Sequence, residues 1–179
     1  MKILIFGASG SGTTTLAKEV TNHIDFTHLD VDDYYWQKTV PAYQEKVPLA
    51  IRNQHLKDDI NKYKNVIISG SMVNWGKEWE TSFDLAIFIY LNNQERMNRL
   101  YKREKERYGE VLSINKAAQE KLKNFLDWAN QYENPIFTGR SLKNHLNWIK
   151  LLNCKTLKID GETSLKEKVE SVTYEISKL

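Results

Sequence analysis

Cysteine is almost missing from this chain: Cys154 stands alone among 179 residues. An internal disulfide is therefore excluded, and the apolar neighbours of the thiol predict an inert buried group. The four histidines, His23, His28, His55 and His145, lack any metal-ligand spacing. With one cysteine beside them, they argue against a zinc site. Long apolar runs are lacking too. None approaches the ~20 residues of a membrane span. Met1-Lys2 leads straight into an apolar segment with no leader pattern, so the expected compartment is the cytoplasm. Proline occurs three times, at Pro41, Pro48 and Pro135, where helical patterns start or stop, and no repeat or low-complexity linker is visible. Charge of one sign is not in excess. Lys and Arg number 26 against 23 Asp and Glu, a net charge of +3 that does not call for a nucleic-acid partner.

What is present is globular. Apolar residues make up 41% and charged residues 27% of a chain long enough for one domain with a full core. Its organising stretch is Gly7-Ala8-Ser9-Gly10-Ser11-Gly12-Thr13-Thr14-Thr15. The apolar run Ile3-Leu4-Ile5-Phe6 before it reads as a buried parallel strand. Leu16, Ala17 and Val20 after it share a helix face. Strand, glycine-rich turn and helix form an anion cradle, because the glycines admit converging N–H groups and the helix start adds free donors. Gly7 to Thr14 match the phosphate-loop pattern except that Thr13 stands where a lysine is usual. A lysine there gives a charge-assisted bond worth about 1.5–3 kcal/mol, so its loss weakens binding or transfer without dismantling the cradle. Arginines further along are candidate replacements. Thr14 keeps the hydroxyl that suits a Mg²⁺ ion.

Further strands are expected at Phe26–Asp30, Val66–Ile68 and Asp84–Leu91, with Lys155–Ile159 alternating like an edge strand. Helices are expected from Pro48 (Leu49, Ile51 or Arg52, Leu56, Ile60), from Trp75 to Thr81, from Asn93 to Tyr108, from Ser113 to Tyr132 and from Ser141 to Leu152. A last one follows the Ser164/Glu167 capping box. Strands alternating with helices predict a parallel α/β sheet whose ligands sit at the carboxyl ends of the strands. The loop, Asp30 to Asp33, Gly70 and Asn92 all fall there.

Asp30, Asp32 and Asp33 follow the second strand. Beside a phosphate loop, carboxylates there suit a hydrated Mg²⁺, with Asp30 as metal partner. Asp32 suits the proton of an attacking hydroxyl, and with Asp33 it belongs to the substrate side. The alternative is a solvated turn with Asx caps. Arg99, Arg103 and Arg107 recur every four residues and so share a helix face, with Arg96 near it. They suit the spread charge of a transferring phosphoryl group, although an ion-paired exposed helix gives the same pattern. Arg140, near a helix start, is a further candidate for the nucleotide phosphates, and Arg52 for a substrate anion. Trp75 and Trp79, with Tyr34, Tyr35 and Trp36, fit either a pocket floor or core.

Assembled, these residues resemble the nucleotide and small-metabolite kinase group of phosphate-loop proteins, including adenylate kinase-like chains and the DNA topology modulation protein relatives. The likeness rests on Gly7 to Thr15, Asp30-x-Asp32-Asp33, the strand end at Leu91 with its arginine-rich helix, Arg107-Tyr108-Gly109 and Asp160-Gly161. It implies a three-layer α/β/α fold with a five-stranded parallel sheet in the order 2-3-1-4-5. The chain would then be a single domain over 1–179, with a short helical lid at about 96–125. It also implies that Gly7 to Thr15 hold ATP or another nucleoside triphosphate, that Thr14 helps hold Mg²⁺, and that lid arginines close over the phosphates. The D-x-D step resembles that of gluconate and shikimate kinases, where it serves the metal and the substrate hydroxyl. The departures are Thr13, Ser69-Gly70 in place of Asp-Gly, and the short lid. A G-T-T-T loop occurs in some archaeal cytidylate kinases. The expected activity is phosphoryl transfer from ATP to a nucleotide or small hydroxylated metabolite. The alternative is a nucleotide-binding regulator of the same fold.

Overall fold

The computed structural model describes residues 1–40 and 42–179, so the expectation at Pro41 lies outside the described residues. Five strands, β1 (Lys2–Gly7), β2 (Thr27–Asp30), β3 (Val66–Ser69), β4 (Leu85–Tyr90) and β5 (Lys155–Asp160), form one parallel sheet in the order β2-β3-β1-β4-β5. The continuous apolar character of β1, β3 and β4, the inner strands, follows from burial on both faces. On β1, Leu4 and Phe6 point to one face, and Ile3 and Ile5 to the other. All four are fully buried, each worth roughly 1.5–3 kcal/mol of burial.

The Leu4/Phe6 face packs against Leu56 and Ile60 of α3 (Leu49–Ile60), Trp75, Trp79 and Trp148. The Ile3/Ile5 face takes α1 (Thr13–Thr21) through Leu16, Ala17 and Val20, and α8 (Leu165–Ile176) through Val169, Val172 and Ile176. Helices therefore cover both faces, and the capping box at Ser164 and Glu167 opens α8 as expected. On α3 the apolar expectation shifts. Leu49 and Ile51 are exposed, and Asn53 replaces them inside by donating to the Trp75 carbonyl and accepting from the Trp79 indole. A short helix, α2 (Asp32–Tyr35), follows β2 directly. The Trp75–Thr81 helix contracts to a 3-10 turn at Lys77–Thr81.

After β4, α4 (Asn93–Tyr108) begins under an Asn92 cap. The long helix expected from Ser113 to Tyr132 breaks in two. Asn115 ends α5 (Val111–Ile114) and caps α6 (Lys116–Asn130) by accepting from the Ala118 N–H. A side chain that satisfies free N–H groups at a helix start competes with continuing the previous helix. Helix α7 (Leu142–Ile149) precedes β5, and Cys154 between them is half-buried rather than enclosed. No helix among the described residues is long and apolar enough to cross a membrane.

Candidate active site

Where β1 enters α1 the backbone is confined. A Cβ at Gly7 would stand 2.5 Å from the Ile89 carbonyl oxygen, so glycine is required by close approach. Gly10 and Gly12 have φ of 85° and 94°, a region that glycine adopts without strain. Ser11 N–H donates to the Ala8 carbonyl at 3.1 Å, folding Ala8, Ser9 and Gly10 into a tight turn. Gly12 caps α1 with no side-chain bond, so the N–H groups of Thr13, Thr14 and Thr15 find no acceptor within the helix. The Ser11 hydroxyl is buried without a partner. Free donors at the positive end of a helix dipole favour a phosphate.

Asp30, at the end of β2, fixes two neighbours. Its Oδ2 accepts from the Thr14 hydroxyl at 2.9 Å and its Oδ1 from the Asp32 N–H at 3.0 Å. Gly70 (φ 110°) makes room for this step, since a Cβ there would lie 2.2 Å from Cγ2 of Val31. Asp32 opens α2 in a cleft that solvent enters but protein walls in. Burial and the nearby Asp30 push its carboxyl above the usual range, while Arg140 and Arg103 pull the other way. Asp33 follows, exposed, and adds a smaller like charge. Burial holds His28 below its ordinary value.

Among the described residues no cluster of three His, Cys, Asp or Glu could hold a metal unaided. Thr14 and Asp30 offer adjoining oxygen donors only. That suits Mg²⁺, which takes one or two carboxylates and completes its shell with phosphates and water.

The arginine stripe divides. Arg103 and Arg107 meet at Glu104, which is nearly buried. Arg103 donates to its Oε1 through Nε at 2.8 Å and Nη2 at 2.6 Å, and Arg107 adds contacts at 3.2 and 3.3 Å. Arg99 instead pairs with Glu95 at 2.8 Å. It lines a groove of about 410 Å³ with Asn92, Gln94, Asn98 and Glu162. Arg99 is thus not brought to Glu104 with its two stripe-mates. Arg140 stands over Trp128 at 5.6 Å. Burial lowers its guanidinium pKa, and Asp32 opposes that shift.

The Arg52 guanidinium rests against both Tyr35 and Trp75, 4.5 Å from each ring centroid, with its Nε buried and unpartnered. Trp75 is 2% exposed and supports this cation from below, so it offers no open face to a base. The segment after α2 folds back on itself. Trp36 bridges Lys46, the Gln37 N–H donates to Glu45, and the Val47 N–H donates to Tyr35. This segment meets the helices after β4. Arg107 stacks on Tyr43 at 4.9 Å, and Lys121 Nζ lies 3.3 Å from the carbonyls of Ala42 and Tyr43.

Several residues escaped sequence reasoning. Arg96 is fully buried, bonded to the Ser9 and Ala129 carbonyls, Asn93 and Glu133. His145, also fully buried, joins Ser71 at 2.8 Å to Tyr132 at 2.6 Å. Ser69 joins His28 to Thr14. Only Arg96 carried a signal, its place beside the stripe. The other partners lie too far apart in sequence for spacing to link them.

Residues 3–123 match the AAA domain family. The chain is similar to the uncharacterized protein YqaC of Bacillus subtilis, 35% identical over 170 residues that cover 95% of this chain and 94% of that protein. A cytidylate kinase of Archaeoglobus fulgidus is 31% identical over 115 residues, covering 58% of this chain and 62% of the kinase. The fold is similar to that of deoxyadenosine kinase from M. mycoides with bound dATP. There the TM-score is 0.58 and the identity 19%, and the alignment covers 99% of both chains. The chain belongs to the AAA domain family.

Proposed function

We propose that this protein is a phosphate-loop kinase that moves the γ-phosphoryl group of ATP, or of another nucleoside triphosphate, to a hydroxyl of a nucleotide or small hydroxylated metabolite that also carries an anion. The observation that carries this reading is Asp32. It is a carboxylate with raised proton affinity, placed one step from the loop threonine through Asp30 and facing two arginines. A base in this position takes the acceptor hydroxyl proton as the oxygen attacks the γ-phosphorus. The bond from phosphorus to the bridging oxygen then breaks, and the nucleoside diphosphate leaves.

The residues divide the work. Loop N–H groups from Gly7 to Thr15 hold the phosphates. Thr14 and Asp30 would hold Mg²⁺, which supplies charge neutralisation on the phosphates when bound. Arg103 and Arg107 supply positive charge that Thr13 does not, and Arg140 adds to it beside Asp32. Arg52, resting against two rings with an unpartnered Nε, takes the acceptor's anion, and Asp33 belongs to the same acceptor side. Arg99, in the groove beside Asn92 and Glu162, adds positive charge at the edge of the site. In this reading the chain is one domain, and residues from about 96 to 125 act as its lid.

A second reading, a nucleotide-binding regulator with little turnover, is favoured by Thr13 and by the hold of Glu104 on two arginines. Transfer of labelled γ-phosphate from Mg-ATP to a panel of nucleoside monophosphates and hydroxylated metabolites separates the two. A kinase phosphorylates a member of the panel, and Asp32→Asn loses roughly 10²–10⁴-fold in rate with ATP binding retained. ATP binding without transfer to any acceptor supports the regulator.

A further inference from the structure

Behind the phosphate loop, four side chains from three elements stand in line. His28 Nε2 and Ser69 Oγ share a hydrogen bond of 2.8 Å, Ser69 Oγ lies 3.5 Å from Thr14 Oγ1, and the Thr14 hydroxyl donates to Asp30 at 2.9 Å. Sheet register produces the line. Asp30 of β2 sits opposite Ser69 of β3, and His28, two residues before Asp30, points to the same face. That face also carries α1, whose first turn supplies Thr14. Neither His28 nor Ser69 has a part in the reaction proposed above.

Hydroxyl arithmetic gives them one. Thr14 has one proton, given to Asp30, so its oxygen keeps lone pairs for an approaching cation. Ser69 also has one proton and two directions for it. Turned to Thr14, it occupies a lone pair there and crowds a cation. Turned to His28, it leaves Thr14 free. An imidazole with its hydrogen on Nδ1 accepts at Nε2 and draws the Ser69 proton that way.

We infer that His28 and Ser69 are positioning residues: His28 accepts the Ser69 hydroxyl proton, so that Thr14 Oγ1 is presented bare to the divalent cation of the bound nucleotide. The inference rests on the metal assignment made above. Its signature is confined to metal-loaded nucleotide, because metal-free ATP makes no demand on the Thr14 lone pair.

The test is calorimetric titration of ATP into the whole protein, once with EDTA and once with excess Mg²⁺. The readout is the ratio of the two dissociation constants. Wild type binds more tightly with metal. His28→Leu is expected to shrink that advantage about tenfold and leave metal-free binding unchanged, as loss of one hydrogen bond's worth of orientation would. His28→Asn, polar but too short to reach Ser69, carries the same expectation should the leucine variant not fold. His28→Gln, whose carbonyl accepts at similar reach, keeps the advantage. The deciding variant is Ser69→Ala, which removes the competing proton. In that background His28→Leu is expected to cost nothing further.

A normal wild-type ratio left untouched by His28→Leu and His28→Asn overturns this inference alone. So does an equal loss with and without metal, or a histidine effect that persists beside Ser69→Ala. A wild-type ratio near one overturns the metal assignment itself, and this inference with it.

Discussion

Arg103 and Glu104 are adjacent in sequence and bonded in space, with two guanidinium nitrogens at 2.8 and 2.6 Å from one carboxylate oxygen. Glu104 also draws in Arg107, so one nearly buried anion holds two cations, of which Arg103 also acts on Asp32. A phosphate entering the cleft competes with that carboxylate for the same donors. Glu104→Gln removes the competitor's charge. Binding of ATP or tripolyphosphate is expected to tighten about three- to tenfold, while stability falls by about 1–3 kcal/mol because two arginines lose an ionised partner. Nucleotide titration and a denaturant melt on the same variant measure both. Unchanged affinity would reduce the pair to a structural tie.

Arg52 makes its prediction through geometry more than charge. Arg52→Lys keeps the cation but lacks the planar guanidinium that rests against both Tyr35 and Trp75. Both Arg52→Lys and Arg52→Ala are expected to raise KM for the acceptor roughly ten- to a hundredfold, a loss of one charge-assisted contact, with KM for ATP little changed. Steady-state kinetics with each substrate varied in turn decides it.

Thr13→Lys would return a cation to the loop. The expected result is a gain of roughly tenfold or more in ATP affinity or in transfer rate, following from a charge-assisted bond of about 1.5–3 kcal/mol. A loss instead would mean that the arginines already fill that position.

His145 predicts the acid behaviour of the fold. Burial lowers its pKa to about 3, with Arg140 adding to the shift. Between the ordinary value of 6.5 and about 3, the unfolded chain binds a proton that the folded chain refuses, so this residue's share of stability is lost as pH falls through that window. The slope reaches about 1.4 kcal/mol per pH unit. His145→Gln has no such proton. The stability gap between wild type and variant should narrow by about 2 kcal/mol from pH 7 to pH 5. A constant gap in denaturant melts would show that His145 titrates alike in both states.

How much of this was legible beforehand depends on the range of the interaction. Ile3 to Phe6, the three loop glycines and the Ser164 cap act on their immediate neighbours, and the sequence carries each of those patterns whole. The sheet order came only through the family resemblance, because nothing local states which strand lies beside which. The expected helix at Ser113–Tyr132 ran through Asn115, whose side chain was free to cap a new helix rather than sit in an old one. Arg99, Arg103 and Arg107 share a face by spacing, but spacing says nothing of Glu95 and Glu104, which draw them apart. Trp75 fits either a pocket floor or core by sequence alone, and only folding brings Arg52 of α3 onto its ring. Ser71, Tyr132 and His145 are spread over more than seventy residues and meet only after folding.

Arg96 ties the carbonyl of Ser9 to that of Ala129 and to Glu133, so the start of α4 and the end of α6 are fastened at one buried guanidinium against the phosphate loop. Everything between, from residue 97 to residue 128, is a loop of chain whose two ends share a single pivot. Its opposite edge is the stretch that reaches Tyr43 through Arg107 and Lys121. The Ser9 carbonyl thus couples the phosphate loop, through one guanidinium, to both ends of the segment that lies against Tyr43.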